Sequence, residues 1–279
     1  MKELDISNVI FIVWRESVEA MLVIGILYAW LSHREEAAQG WRYLWGGVAA
    51  GLGLALGMAG IILKAESELA GEALDYFQIG ILLAAAALIV QMVFWMRKHG
   101  RTLRRDLESG MVRAAETANW WGMSMLAALA VGREGAETVV FLYGAGTAGS
   151  GMERMRFAGG ASLGFGLAVL TFWLLTRGSR IFSWKIFFLF SELLLLMLAG
   201  ALLVDGVDRM IGMGWLPPLI DPVWDSAFLL DDGTRFGGLV ASLTGYRAHP
   251  ALLLLLIYAA YWTVVIALLR RTSVTHPST

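Results

Sequence analysis

Two short stretches place charges where a chain this apolar should not carry them. Residues 13–22, VWRESVEAML, hold Arg15, Glu16 and Glu19; residues 130–141, AVGREGAETVVF, hold Arg133, Glu134 and Glu137. Both read Arg-Glu-x-x-Glu inside a hydrophobic run. On a helix, residues three apart share a face with Cβ atoms about 5–6 Å apart. Each motif therefore offers two adjacent carboxylates with an arginine on the flank. A charge at the centre of a membrane helix costs about 2.5–3.5 kcal/mol on insertion scales, whereas an interhelical polar contact returns only about 0.6–2 kcal/mol. Structural pairing alone does not offset six such charges. Two arginines against four glutamates also leave two negative charges over, and neighbouring carboxylates in low dielectric either take up protons or hold a cation.

The donor set narrows the cation. All four candidate ligands are carboxylates, cysteine is absent, and His33, His99, His249 and His276 fall outside the apolar runs. Hard cations such as iron, manganese, magnesium or calcium suit such oxygens; copper(I), a thiolate zinc site and a histidine-ligated haem do not.

The elements that must position these motifs are membrane helices. Of 279 residues, 58% are hydrophobic and only 16% are charged, with a net charge of −1. Soluble domains average nearer ~45–50% apolar and ~25% charged. A hydrocarbon core needs about 20 apolar residues per helix. Seven runs qualify, near 8–31, 41–63, 74–96, 118–145, 156–176, 181–204 and 251–270. Strand-type alternation is absent, which argues against a barrel. The expectation is an all-α integral membrane protein with seven transmembrane helices in one polytopic domain. The N-terminus is too acidic for a secretory leader, so the first span is expected to be retained.

The spans pair in character. Spans one and four carry the motifs. Spans two and five carry small-residue rows, Gly47/Gly51, Gly53/Gly57 and Gly160/Gly164, of the kind that lets helices approach closely. Spans three and six are bulky and aliphatic, each with an isolated polar residue, Gln91 or Glu192. This reads as a 3+3 inverted repeat, residues 1–96 and 118–204, followed by one C-terminal helix in 251–279. Transporters built this way set their site at the repeat interface. Between the repeats lies a basic connection, 97–117, expected to be partly helical and to touch anionic lipid headgroups rather than nucleic acid. A long acidic loop, 205–250, precedes the last span.

Lysines and arginines fall on alternate connections. One set holds thirteen and the other seven. The positive-inside rule then puts the N-terminus outside, the C-terminus in the cytoplasm and the acidic loop outside. Glu192 is expected either to pair locally or to serve in transit, where it would carry compensating charge for a ferric ion.

These motifs, with VFWMRKHGRTLRRDL, SELLLLMLAGALLVDGV and VWDSAFLLDDGTRFGGLVASLTGY, resemble the high-affinity iron permease family, the oxidase-dependent iron transporters of fungi and their bacterial uptake-permease relatives. The likeness runs over nearly the whole chain. It implies that Glu16, Glu19, Glu134 and Glu137 bind iron in transit, that Arg15 and Arg133 support them, and that Asp221 and Asp225 belong to an external segment receiving iron. Two departures stand out: Ser17 replaces the usual glycine, and Gln78 stands where many relatives have an acid. The expectation is therefore a permease of the cytoplasmic membrane and not an enzyme, with iron as cargo and no permanently bound cofactor. An extracytoplasmic oxidase, peroxidase or iron-binding protein is the implied partner, and a homo-oligomer is compatible with the sequence. The alternatives are a permease for manganese or lead, and a membrane di-iron oxidoreductase. The last usually needs Glu-x-x-His, which the spans lack.

Overall fold

The computed structural model describes residues 6–32, 38–99, 120–144, 151–177 and 184–274. These residues form helices and turns with no strand among them. Seven long helices follow in order: α1 (Ile6–Ser32), α2 (Ala38–Glu68), α3 (Glu72–His99), α4 (Trp120–Gly144), α5 (Gly151–Arg177), α6 (Trp184–Gly212) and, after a short α7 (Arg235–Thr244), α8 (Leu252–Val274). Within α2, α3, α5, α6 and α8 lie stretches long and apolar enough to cross a membrane. Helices α1 and α4, of 27 and 25 residues, have the length but are each interrupted by one charged triplet. What interrupts their hydropathy is the motif itself.

Packing follows from where small residues sit. Helix α2 lies along α4, α1 along α5, and α3 along α6, while α1 and α4 meet at the centre. A Cβ on Gly51 would stand 2.8 Å from both Ala128 O and Gly132 N of α4, and one on Gly164 would stand 2.6 Å from Ile10 O of α1. Only glycine permits backbones that close. Gly53 and Gly57 have nothing within 4 Å. Six residues separate Gly47 from Gly53, a turn of about 240° that carries the second row off the contact face.

Two buried clusters fix the direction of the central pair. Val9 and Ile12, from the first half of α1, share one with Phe141 and Leu142 near the end of α4. Val23, Leu27 and Leu31, from the second half of α1, share another with Met123, Ala127 and Val131, early in α4. The two helices are therefore antiparallel.

The acidic loop is more regular than its composition suggests. Its first eight residues continue α6, and α7 interrupts the remainder. The Thr234 side chain accepts from Gly237 N to start α7, and Gly245, at φ 76°, ends it. Main-chain bonds from Val223 N to Pro250 O, Ser226 N to Ala248 O and Leu252 N to Ile220 O tie the intervening segment to the start of α8. The Tyr246 hydroxyl, donating to Leu230 O at 3.0 Å, adds to this. Residues 97–99 of the basic connection finish α3; its remainder up to residue 117 lies outside the described residues.

Candidate cation site

The antiparallel contact of α1 with α4 brings the two motifs together. One carboxylate oxygen from each of Glu16, Glu134 and Glu137 lies within 4.8 Å of the others, and all three side chains are buried. Glu134 Oε2 and Glu137 Oε2 are shut off from solvent and accept no hydrogen bond. Buried carboxylate oxygens without donors are costly unless a cation or proton meets them. Three oxygens at the corners of a triangle with 4.8 Å sides lie about 2.8 Å from its centre, so each would move inward by about 0.7 Å to bond a small divalent ion at about 2.0–2.2 Å.

Glu19 stands apart from that trio. It is buried and ion-paired with Arg15 across one helical turn. Arg15, 3% exposed, sends Nη1 to both oxygens of Glu16 at 2.9 and 3.0 Å and to Met92 Sδ of α3 at 2.9 Å. Arg133 is placed differently. Its side chain is 38% exposed, with Nε donating to Glu137 Oε1 at 2.8 Å and the guanidinium 4.4 Å from the centre of the Trp95 ring. That stacked position is a cation–π contact. Met92 and Trp95, both on α3, therefore shape the site, and neither carries a charge that would single it out by sequence. Their spacing of three on a helix facing α1 and α4 is the only signal.

The remaining candidates lie elsewhere. Glu192 of α6 accepts from Arg97 Nε of α3, so its charge is matched locally. Gln78 accepts from Arg209 of α6. Asp221 is exposed. Asp225, also exposed, accepts from Ala227 N at 2.9 Å and faces His249 Nε2 at 3.1 Å. The backbone N–H of Ala227, seconded by His249, holds the Asp225 carboxyl below the usual aspartate range. Asp205 forms an ion pair with Arg247, joining α6 to the segment before α8.

Long apolar helices that bury a cluster of like-charged carboxylates at their centre define a multi-pass membrane protein. Comparison makes this specific: the chain belongs to the Iron permease FTR1 family, which it matches over residues 7–274. It is similar to the ferrous iron permease EfeU of Escherichia coli O6:H1, 28% identical over 242 residues and 86% of each chain. The EfeU of Shigella sonnei gives the same identity and coverage. That of Yersinia pestis is 26% identical over 252 residues, 90% of this chain and 88% of its own. No solved structure matches.

Proposed function

We propose that the protein carries iron across the cytoplasmic membrane, and that its cargo is held at the α1–α4 contact by Glu16, Glu134 and Glu137, with Glu19 as a fourth ligand released when Arg15 shifts. The observation that carries this reading is the meeting of two Arg-Glu-x-x-Glu motifs with buried carboxylate oxygens that have no donor. Arg15 and Arg133 keep the cluster from being uniformly negative. Ionised, the six side chains sum to −2, so a ferrous ion brings the site to zero and a ferric ion to +1. Uncompensated charge in low dielectric is expensive, which favours the divalent form.

The pairing of helices supports a 3+3 inverted repeat of seven spans. If α1–α3 exchange with α4–α6, then α1 against α5 becomes α4 against α2, while α1–α4 and α3–α6 map onto themselves. Those are the main pairings of the fold. The distribution of lysine and arginine supports an external N-terminus and a cytoplasmic C-terminus. On that orientation the segment between α6 and α8, with Asp221 and Asp225, faces outward, where an oxidase, peroxidase or iron-binding protein would deliver the ion.

The test is uptake of ferrous iron into proteoliposomes containing only this chain, with manganese, zinc and lead as competitors. Glu16→Ala and Glu134→Ala should each abolish uptake while the protein stays folded in the membrane. Near-normal uptake in both would refute the site, and preferential uptake of manganese or lead would reassign the cargo. Iron-dependent oxygen consumption by the purified protein would favour an oxidoreductase instead.

A further inference from the structure

Asn8 is the other polar residue that α1 buries. Only 2% of it is exposed, and Oδ1 has no hydrogen-bond donor within reach. A buried amide oxygen without a partner is unfavourable, and an apolar residue such as its neighbours Val9 and Ile10 would avoid that cost. Its place on the helix ties it to the cation site. Asn8 precedes Arg15 by seven residues and Glu19 by eleven, so it projects within about 20° of each, roughly 10 Å nearer the N-terminus than Arg15. Between Asn8 and the carboxylates stands an apolar layer. Ile12, one turn before Glu16, and Phe141, one turn after Glu137, are both fully buried and belong to a single cluster. Because α1 and α4 are antiparallel, both residues lie on the same side of the carboxylates as Asn8. Counted along the two helices from the N-terminal end of α1, the order is the Asn8 oxygen, the Ile12–Phe141 layer, then Glu16, Glu134 and Glu137, with Glu16 turned about 80° around α1 from Asn8.

We propose that Asn8 Oδ1 contacts the cation in transit, on the far side of the Ile12–Phe141 layer from the carboxylates, and replaces part of the hydration shell that the apolar layer strips away. The inference rests on the transport reading above. A carbonyl oxygen suits this role because hard cations accept it as a ligand, yet it carries no net charge to trap the ion before the carboxylates. Ile12 and Phe141 then form the barrier between the two positions.

The experiment uses the full chain, purified for ferrous-iron binding and reconstituted for uptake, as wild type, Asn8→Leu, Asn8→Asp and Glu134→Ala. Leucine shares the branching and heavy-atom count of asparagine and removes the orphan oxygen, so the unfolding temperature of Asn8→Leu should equal or exceed that of wild type. Its equilibrium affinity for ferrous iron should stay within about twofold, since the carboxylates are untouched, while its initial uptake rate should fall at least about tenfold. Asn8→Asp, which keeps an oxygen in place, should bring uptake back to within about threefold of wild type with a lower KM. Wild-type uptake by Asn8→Leu would overturn the proposal. So would a lowered unfolding temperature with uptake reduced only in proportion to folded protein, or equal failure of the Leu and Asp variants. If Glu134→Ala also transported normally, the central site itself would fail. If only Asn8→Leu did, the fault would lie with Asn8 alone.

Discussion

Gly51→Ala should damage transport far more than it damages the fold. The added Cβ would stand 2.8 Å from Ala128 O and Gly132 N and 2.9 Å from the Val131 Cβ, whereas ordinary contact begins at 3.4 Å. Two of these neighbours are backbone, which cannot rotate away, so α2 and α4 must part by about 0.6 Å. Overpacking of this kind costs about 1–3 kcal/mol, offset by the roughly 0.5–1 kcal/mol that alanine gains over glycine within a helix. The net loss of stability is then on the order of 1 kcal/mol. The functional cost is larger because Gly132 is two residues from Glu134. Metal–ligand distances in a formed site hold to within about 0.2 Å, and the three oxygens must already close in by about 0.7 Å to bond an ion, so a shift of about 0.6 Å at Glu134 works directly against that closure. Iron uptake should fall more than about tenfold. Gly57→Ala, in the same helix with nothing within 4 Å, is the control and should leave uptake unchanged while matching or exceeding wild-type thermal stability. Equal uptake by the two variants, normalised to folded protein, would refute the claim that the α2–α4 approach sets the position of Glu134.

The remaining predictions address topology, the two arginines, Glu192 and pH. In the cysteine-free background, an impermeant thiol reagent applied outside should label Glu68→Cys, exposed at the α2–α3 turn, and spare Ser109→Cys in the basic connection; the reverse pattern would invert the orientation. Arg15→Lys should abolish iron binding, because a lysine cannot reproduce the forked contacts with both Glu16 oxygens and Glu19, whereas Arg133→Lys should weaken binding by less than about tenfold; equal effects would deny the difference in their surroundings. Glu192→Gln should leave ferric and ferrous affinity unchanged in metal titrations while lowering the unfolding temperature, since it strips Arg97 of its partner; a selective loss of ferric affinity would return Glu192 to the cation site. Carboxylates bind metal only when deprotonated, so iron affinity should fall as pH drops from neutral into the mildly acidic range; a pH-independent affinity would remove the glutamates from the ligand set.

Much of this arrangement is legible in the sequence, because hydrophobic length and motif spacing are local properties. The apolar runs anticipate the seven long helices to within a few residues, except that α6 continues eight residues past its expected end, through DGVDRMIG, where Val207 stays buried and Gly206 packs on Leu82 and Leu83. Distinctions that depend on a neighbour are not legible. Gly47/Gly51 and Gly53/Gly57 have the same spacing, and only the position of α4 makes one row a contact and leaves the other open. Likewise nothing in Arg-Glu-x-x-Glu separates Arg15 from Arg133; Met92 and Trp95 do so by meeting them at successive positions along α3, one with a thioether and the other with an aromatic face.

That difference bears on how the proposed repeat would hold one ion at the proposed site. A strictly two-fold site would draw ligands equally from both motifs and fix both arginines alike. Here the second motif contributes Glu134 and Glu137 to the close trio and the first contributes Glu16 alone. Glu19 is occupied by the more deeply buried arginine. The fourth carboxylate is thus held beside the site by an ion pair rather than committed to it. On the proposed reading its recruitment would require Arg15 to give up one partner while keeping Glu16 and Met92, so the change in coordination would be confined to a single side chain while the α1–α4 backbone contact stays closed.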